Sequence, residues 1–281
     1  MLDCPRMHVL VRPVRTRGDY DACVQLQREV WGLSDLEITS AIQLVATVHA
    51  GGLLLVAEAP GGHVVGFCYA FAALRGGEPH LHSDMLAVRE ALRGRGIGLR
   101  LKWAQREEAL RRGLRLVTWT FDPLRAGNAR LNLHRLGAIS REYLPDFYGE
   151  TTSALHHGLP TDRLLVRWEL DSPRVQRRAA GDEAAPPRHV PAINDLTWRG
   201  GLPVSSPPRL DLDAAELRLE IPGDWDAVCR ADAGLAREWQ GVVRRALGSA
   251  FARGYTAAGF ASEGGARPRA GYVLRKDALE T

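Results

Sequence analysis

Residues 83–98 read SDMLAVREALRGRGIG, and residues 99–113 continue as LRLKWAQREEALRRG. An alternating, partly apolar run (Met85, Leu86, Val88) predicts a strand. It gives way to Arg93-Gly94-Arg95-Gly96-Ile97-Gly98, and a helical pattern starts at once. The first N–H groups of such a helix have no partner within it, and the helix dipole adds partial positive charge there. Glycines let the backbone approach a bulky anion, and two arginines add charge. The stretch therefore reads as a cradle for a pyrophosphate.

Two common phosphate loops do not fit it. The P-loop needs G-x-x-x-x-G-K-[ST], and no lysine-serine or lysine-threonine follows these glycines. The dinucleotide fingerprint needs G-x-G-x-x-G, whereas the chain has G-R-G-I-G-L. The run does fit R-x-x-G-x-G, with Arg93, Gly96 and Gly98 on the key positions.

Composition limits what surrounds this loop. The 281 residues suit one large or two modest domains, and a hydrophobic content of 45% supports a real core. Lys102 and Lys276 are the only lysines, so most of the positive charge is arginine, the side chain suited to phosphate forks. That charge is scattered among acidic residues. With no basic tail and no basic stripe interleaved with aromatics, a nucleic-acid partner is not expected. The four cysteines, Cys4, Cys23, Cys68 and Cys229, form no C-x-x-C pair and read as reduced and structural. No signal-peptide pattern opens the chain, and no apolar run approaches the ~18 residues of a membrane span. The expectation is a cytoplasmic protein without a membrane partner.

The order of elements follows from periodicity and turn signals. Val9–Val14 reads as a strand, and Gly18-Asp19-Tyr20-Asp21 as a turn and N-cap for a helix ending at Trp31-Gly32. Thr39 can cap a second helix with Ile42, Leu44, Val45 and Val48 as its apolar positions. Leu53–Ala59 and His63–Ala72 form a hairpin, Leu74–His80 is a loop, and Leu81–Val88 is the strand that leads into the cradle. In the helix Leu99–Arg112, Leu101, Ala104 and Leu110 face inward, while Arg100, Lys102, Arg106 and Glu107 face outward. Leu114–Phe121 is a strand, Asn128–Leu136 a short helix, and Ala138–Leu144 and Leu164–Leu170 two more strands. Asp171–Leu210 carries seven of the sixteen prolines and reads as mostly loop. A β-α-β-β pattern closes the chain: a strand at Leu217–Ile221, a helical region from Pro222-Gly223-Asp224, and strands at Thr256–Ser262 and Ala270–Arg275.

With the R-x-x-G-x-G loop between the fourth strand and the next helix, this order resembles the GNAT family of N-acetyltransferases. The resemblance is dense in GRGIGLRLKWAQREEAL, TWTFDPLRAGNARLNLHRLGA, YGE and LPTDRLLVRWEL. It points to a bacterial subfamily with a C-terminal extension and covers residues 9–170, more loosely the segment from Leu217. It implies an α/β (α+β) fold: a mixed, largely antiparallel sheet with splayed fourth and fifth strands, flanked by helices. Residues 1–170 would be the acyl-CoA-binding domain and 171–210 a linker. Residues 211–281 would be a small extension docked on that domain or at a homodimer contact.

The family's site residues carry over onto named positions. The resemblance places the amides of a pantetheine arm on the backbone of Leu86, Ala87 and Val88. It places the pyrophosphate on the N–H groups of Gly94, Arg95, Gly96, Ile97 and Gly98, with Arg93 and Arg95 nearby. Asn128 would bind the CoA arm through its side-chain amide, and a simple N-cap is the other reading of that residue.

Transfer of an acyl group to an amine needs a proton acceptor, for which Asp84, Glu29 and His82 are candidates, and a donor for the leaving thiolate. Strict alternation puts His82, Asp84 and Leu86 on one face and Ser83, Met85 and Ala87 on the other. The family tyrosine about four residues before a glycine is missing: counting back from Gly137 gives Leu133, with His134 beside it. Tyr143 and Tyr148 are the remaining phenols for the acid role. His80, His82 and Asp84 imitate a metal cluster but lack a fourth ligand, so no metal is expected. His156-His157 and Asp162-Arg163 read as loop structure.

The expected function is an acyl-CoA-dependent N-acyltransferase, moving acetyl from acetyl-CoA to the amine of an acceptor the sequence does not identify. A non-catalytic acyl-CoA-binding module is the alternative. A nucleotide-binding protein is a weaker third, since it lacks the P-loop lysine and a magnesium-ligand hydroxyl.

Overall fold

A computed structural model describes residues 8–153, 157–182 and 190–276. Two compact units divide the chain: Met1–Trp119 with Thr151–Leu155, and Thr120–Glu150 with His156–Thr281. Cys4 and His156 lie outside the described residues.

The first unit begins with β1 (Leu10–Pro13), α1 (Arg17–Trp31) and α2 (Ala41–His49). The strands β2 (Leu53–Glu58), β3 (Val64–Arg75) and β4 (Glu78–Val88) follow. A 3-10 turn at Glu90–Leu92 leads to α3 (Ile97–Arg111) and β5 (Leu116–Phe121). The strands run in spatial order β1-β2-β3-β4-β5. Neighbours are antiparallel except β4 and β5, which are parallel. This is the expected mixed, largely antiparallel α/β arrangement. Cys23 and Leu26 of α1, Leu44 of α2, and Val56, Phe67, Met85 and Ala87 of the sheet form one buried cluster.

Several local expectations change. The cap of α1 is Thr16, whose hydroxyl accepts from Asp19 N–H, while the Asp19 carboxylate returns to the Thr16 N–H as the third residue of a capping box. Ser40 caps α2 in place of Thr39. Ile42 and Val45 of that helix, expected inside, are exposed. Leu74–His80 is not a loop: β3 runs to Arg75, Gly76 and Gly77 turn the chain with positive φ, and β4 starts at Glu78. Lys102 was expected in solvent but is only 2% exposed.

In the second unit, α4 (Ala126–Ala129) passes into a π-helical turn at Arg130–Arg135, where a single regular helix was expected. β6 (Ile139–Leu144) and β7 (Arg163–Glu169) follow. The described residues of the proline-rich segment include regular elements that its composition does not suggest. It holds α5 (Pro173–Ala179), with Ser172 as cap, and a hairpin of β8 (Leu196–Arg199) and β9 (Leu202–Ser205).

The last elements are β10 (Glu216–Pro222), α6 (Trp225–Ala231), α7 (Ala233–Ala252), β11 (Tyr255–Glu263) and β12 (Arg269–Lys276). Their order is β7-β6-β11-β12-β10, antiparallel throughout. Trp239 of α7 is buried and donates its indole N–H to Pro203 O at 2.8 Å. Asp162, read from sequence as part of a loop, is a buried hub. It accepts from the Tyr143 hydroxyl at 2.6 Å and from both arms of Arg244 at 2.9 and 2.7 Å.

Candidate donor site

The chemistry-bearing part of the first unit is the length of β4 and the turn after it. β3 and β4 pair Tyr69 with Met85 and Ala70 with Ser83, so Asp84 is an extra residue, a β-bulge. The bulge breaks the alternation expected from sequence. Ser83 faces α3, where its hydroxyl meets Lys102 and Gln105. Met85 and Ala87 pack in the cluster around α1. Leu86 and Val88 return to the α3 side, within 3.7 and 3.9 Å of where a Cβ on Gly98 would stand. Ser83, Met85 and Ala87 therefore do not share a face. Asp84 is exposed as a residue, and partial desolvation of its carboxyl raises it above the ordinary range.

On its other edge β4 pairs with β5 only through Leu81–Val117 and His82–Thr118, among the described residues. The backbone of Leu86, Ala87 and Val88 lies beyond those pairs, which is the splay that the resemblance implied.

Past Val88 the chain makes its 3-10 turn, and Arg93 stacks back so that its Nε donates to Val88 O at 3.3 Å. Gly94 and Gly96 take φ of 76° and 79°, which a side chain would resist. Gly96 is the N-cap of α3, and no side chain caps that end. A Cβ at Gly94 or Gly96 would meet nothing within 4 Å. The open space and the uncapped N–H groups suit an anionic group approaching the backbone. Arg93, Gly94, Arg95 and Gly96 are exposed, Gly98 is half-buried and Ile97 anchors the turn at 2% exposure.

The remaining candidates divide sharply. Glu29 is exposed at the end of α1, with its carboxylate 3.5 Å from the Arg89 guanidinium. His82 is half-buried; its Nδ1 lies 2.9 Å from Thr118 Oγ1, and burial pushes its pKa down to about 4. Buried His80 turns Nδ1 to its neighbour Glu78 O. Among the described residues, no group of three or more His, Cys, Asp or Glu is placed to hold a metal ion.

In the second unit Asn128 is exposed as the third residue of α4, and Arg125 holds the cap position. The N-cap reading of Asn128 is thereby replaced. Leu133 is fully buried where the family tyrosine would stand. Tyr143 is occupied: its hydroxyl donates to Asp162, and burial together with that carboxylate raises its pKa far above the phenol range. Tyr148 is exposed, 3.1 Å from Thr120 Oγ1, with the Arg163 guanidinium 5.0 Å from its ring.

Residues 20–138 match the family model described as the Acetyltransferase (GNAT) family, so this segment is a GNAT acetyltransferase domain. No curated protein matches the chain.

Solved structures similar to it include a putative GNAT acetyltransferase from Desulfovibrio desulfuricans (18% identity, 58% of this chain and 99% of that one, TM-score 0.47). Another is a putative acetyltransferase from Salmonella typhimurium with its cofactor acetyl-CoA (20% identity, 64% and 98%, TM-score 0.46). A third is a ribosomal-protein-alanine N-acetyltransferase from Brucella melitensis (23% identity, 56% and 98%, TM-score 0.45). Among the described residues no helix is long and apolar enough to cross a membrane.

Proposed function

We propose that the chain is an acyl-CoA-dependent N-acyltransferase that transfers acetyl from acetyl-CoA to the amine of an acceptor by direct attack. The observation that carries this reading is the uncapped, glycine-turned N-terminus of α3, placed at the end of a strand whose far edge is left by β5. Arg93, Arg95 and the N–H groups from Gly94 to Gly98 would hold the pyrophosphate, and the backbone of Leu86, Ala87 and Val88 the pantetheine amides. Asn128 is assigned to the CoA arm.

In the transfer, the neutral amine forms the C–N bond at the thioester carbon, and its proton passes to a base. We assign that role to Asp84. It is the exposed bulge residue of β4, and its carboxyl is raised from the ordinary aspartate value. Glu29 is the second candidate, its carboxylate already engaged by Arg89. Backbone N–H groups of β4 would stabilise the developing oxyanion. The C–S bond then breaks, and the thiolate takes a proton. Tyr148 is the assigned donor, since Tyr143 is committed to Asp162.

Thiol release from acetyl-CoA across a panel of amines, amino acids and peptide N-termini tests the assignment. Turnover with one class, lost in Asp84→Asn, supports the enzyme. Tight acetyl-CoA binding with no turnover on any acceptor identifies a binding module.

A further inference from the structure

β4 and β5 part after His82 and Thr118, and the next residue on each strand is Ser83 and Trp119. Lys102, on the second turn of α3, places its ammonium between these two residues. Its Nζ is 3.1 Å from Ser83 Oγ and 3.7 Å from the centre of the Trp119 ring. Gln105 completes the cluster, accepting from Nζ at 2.7 Å and donating Nε2 to Ser83 Oγ at 3.1 Å. Lys102, Gln105 and Ser83 are all buried. At the last pair itself, the side chains of His82 and Thr118 meet at 2.9 Å. The point of divergence is thus fixed twice: by a His–Thr contact at the last pair and by a lysine clamp one residue further on.

We propose that Lys102 is a positioning residue for the acyl donor. As a cation it stands between Ser83 and Trp119 just beyond the last strand pair and fixes their spacing, so that β4 and β5 stay parted and the edge of β4 through Val88 remains open to an acyl-CoA arm. This rests on the donor-site reading above.

The clamp depends on charge, because an ammonium donates to a hydroxyl and an amide oxygen and sits on an indole face more strongly than an amine does. Burial pushes the Lys102 pKa down to about 8. The titratable groups around it are Cys68 of β3, 3.7 Å from Ser83 Oγ, whose thiol burial pushes up, and His82 of β4, held neutral. Trp119 and Gln105, facing it from β5 and α3, do not titrate.

Calorimetry of acetyl-CoA binding to the full chain from pH 7 to pH 9.5, on wild type, Lys102→Met and Lys102→Arg, tests the clamp. Wild-type affinity is expected to fall about tenfold or more across that range with a midpoint near 8. Lys102→Met should bind about tenfold more weakly at pH 7, show no such pH dependence and melt no lower than wild type. Lys102→Arg should lose the midpoint near 8. A flat wild-type profile, or Lys102→Met binding within about twofold of wild type at pH 7, overturns the clamp and leaves the donor site standing. The wild-type series decides the matter even if Lys102→Met does not fold. A wild type that fails to bind acetyl-CoA at any pH overturns the donor reading itself, which is a distinct result.

Discussion

Two helices of the first unit begin in opposite ways. At the start of α1 the chain's own side chains answer backbone donors. Thr16 and Asp19 cap each other's backbone, Asp19 also accepts from Arg15 N–H at 2.7 Å, and Arg12 grips the same carboxylate through two bonds of 2.9 Å. At the start of α3 a glycine with φ of 79° stands at the cap and offers no side chain. A helix end that the chain satisfies by itself contributes stability, whereas an end left to an outside anion keeps its binding energy for the ligand. The end of α1 is structural, and the open end of α3 carries the proposed donor site.

Substitutions at the two ends should therefore fail in different assays. The largest expected effect is on stability, from Asp19→Ala. It leaves Arg12 largely buried beside Glu58 and removes the carboxylate half of the capping box, at about 3 kcal/mol by denaturant titration, with acetyl-CoA affinity unchanged. Gly96→Asp should do the reverse. A side chain and a negative charge enter the anion's space, and acetyl-CoA affinity falls about 100-fold, equivalent to roughly 2.7 kcal/mol. Backbone strain at the positive φ costs only about 1 kcal/mol of stability. Unchanged affinity by calorimetry would sink the donor assignment.

Thr16→Ala should cost about 1 kcal/mol of stability and nothing in binding. Gly98→Ala is the mildest. Its Cβ would stand at ordinary contact distance from Leu86 and Val88, so stability should change by less than about 0.5 kcal/mol. Any loss of acetyl-CoA affinity in that variant then reports on the ligand alone.

The dependence of stability on pH separates the two ends further. Arg12 holds the Asp19 carboxyl well below the usual range, chiefly through its hydrogen bonds. A depressed carboxylate contributes its stability above the unfolded pKa of about 4 and loses it as pH falls from there. Asp19→Ala should flatten that acid limb.

Lys102, beneath the strand that precedes the open end, has the opposite sign. Its folded pKa of about 8 lies below its ordinary 10.5, so its buried charge costs about 3 kcal/mol near pH 7. The unfolded chain keeps a proton that the folded one releases, so stability should rise between about pH 8 and pH 10.5 and level off above. Lys102→Met should abolish that rise in thermal melts.

Much of the fold was legible because strands and helices leave periodic marks. The R-x-x-G-x-G turn was legible because few residues other than glycine tolerate the φ of positions 94 and 96. Composition misled at Asp171–Leu210, where prolines sit at a helix start and in a strand, positions that tolerate them. Periodicity misled at Lys102, since a helical wheel assigns charge to the outer face. The one internal signal was that the chain has only two lysines and places one of them in this helix.

The sequence alone determined the R-x-x-G-x-G turn, the order of elements around it and the absence of the usual tyrosine four residues before Gly137. Those are local properties of backbone conformation and residue identity. Tertiary structure alone decided which side of the sheet Ser83 and Met85 face, because the bulge at Asp84 appears only when β4 is paired with β3. It also decided that Tyr143 is spent on Asp162, and that the Lys102 ammonium stands between Ser83 and Trp119. These are contacts between residues distant in the chain, and no local pattern encodes them.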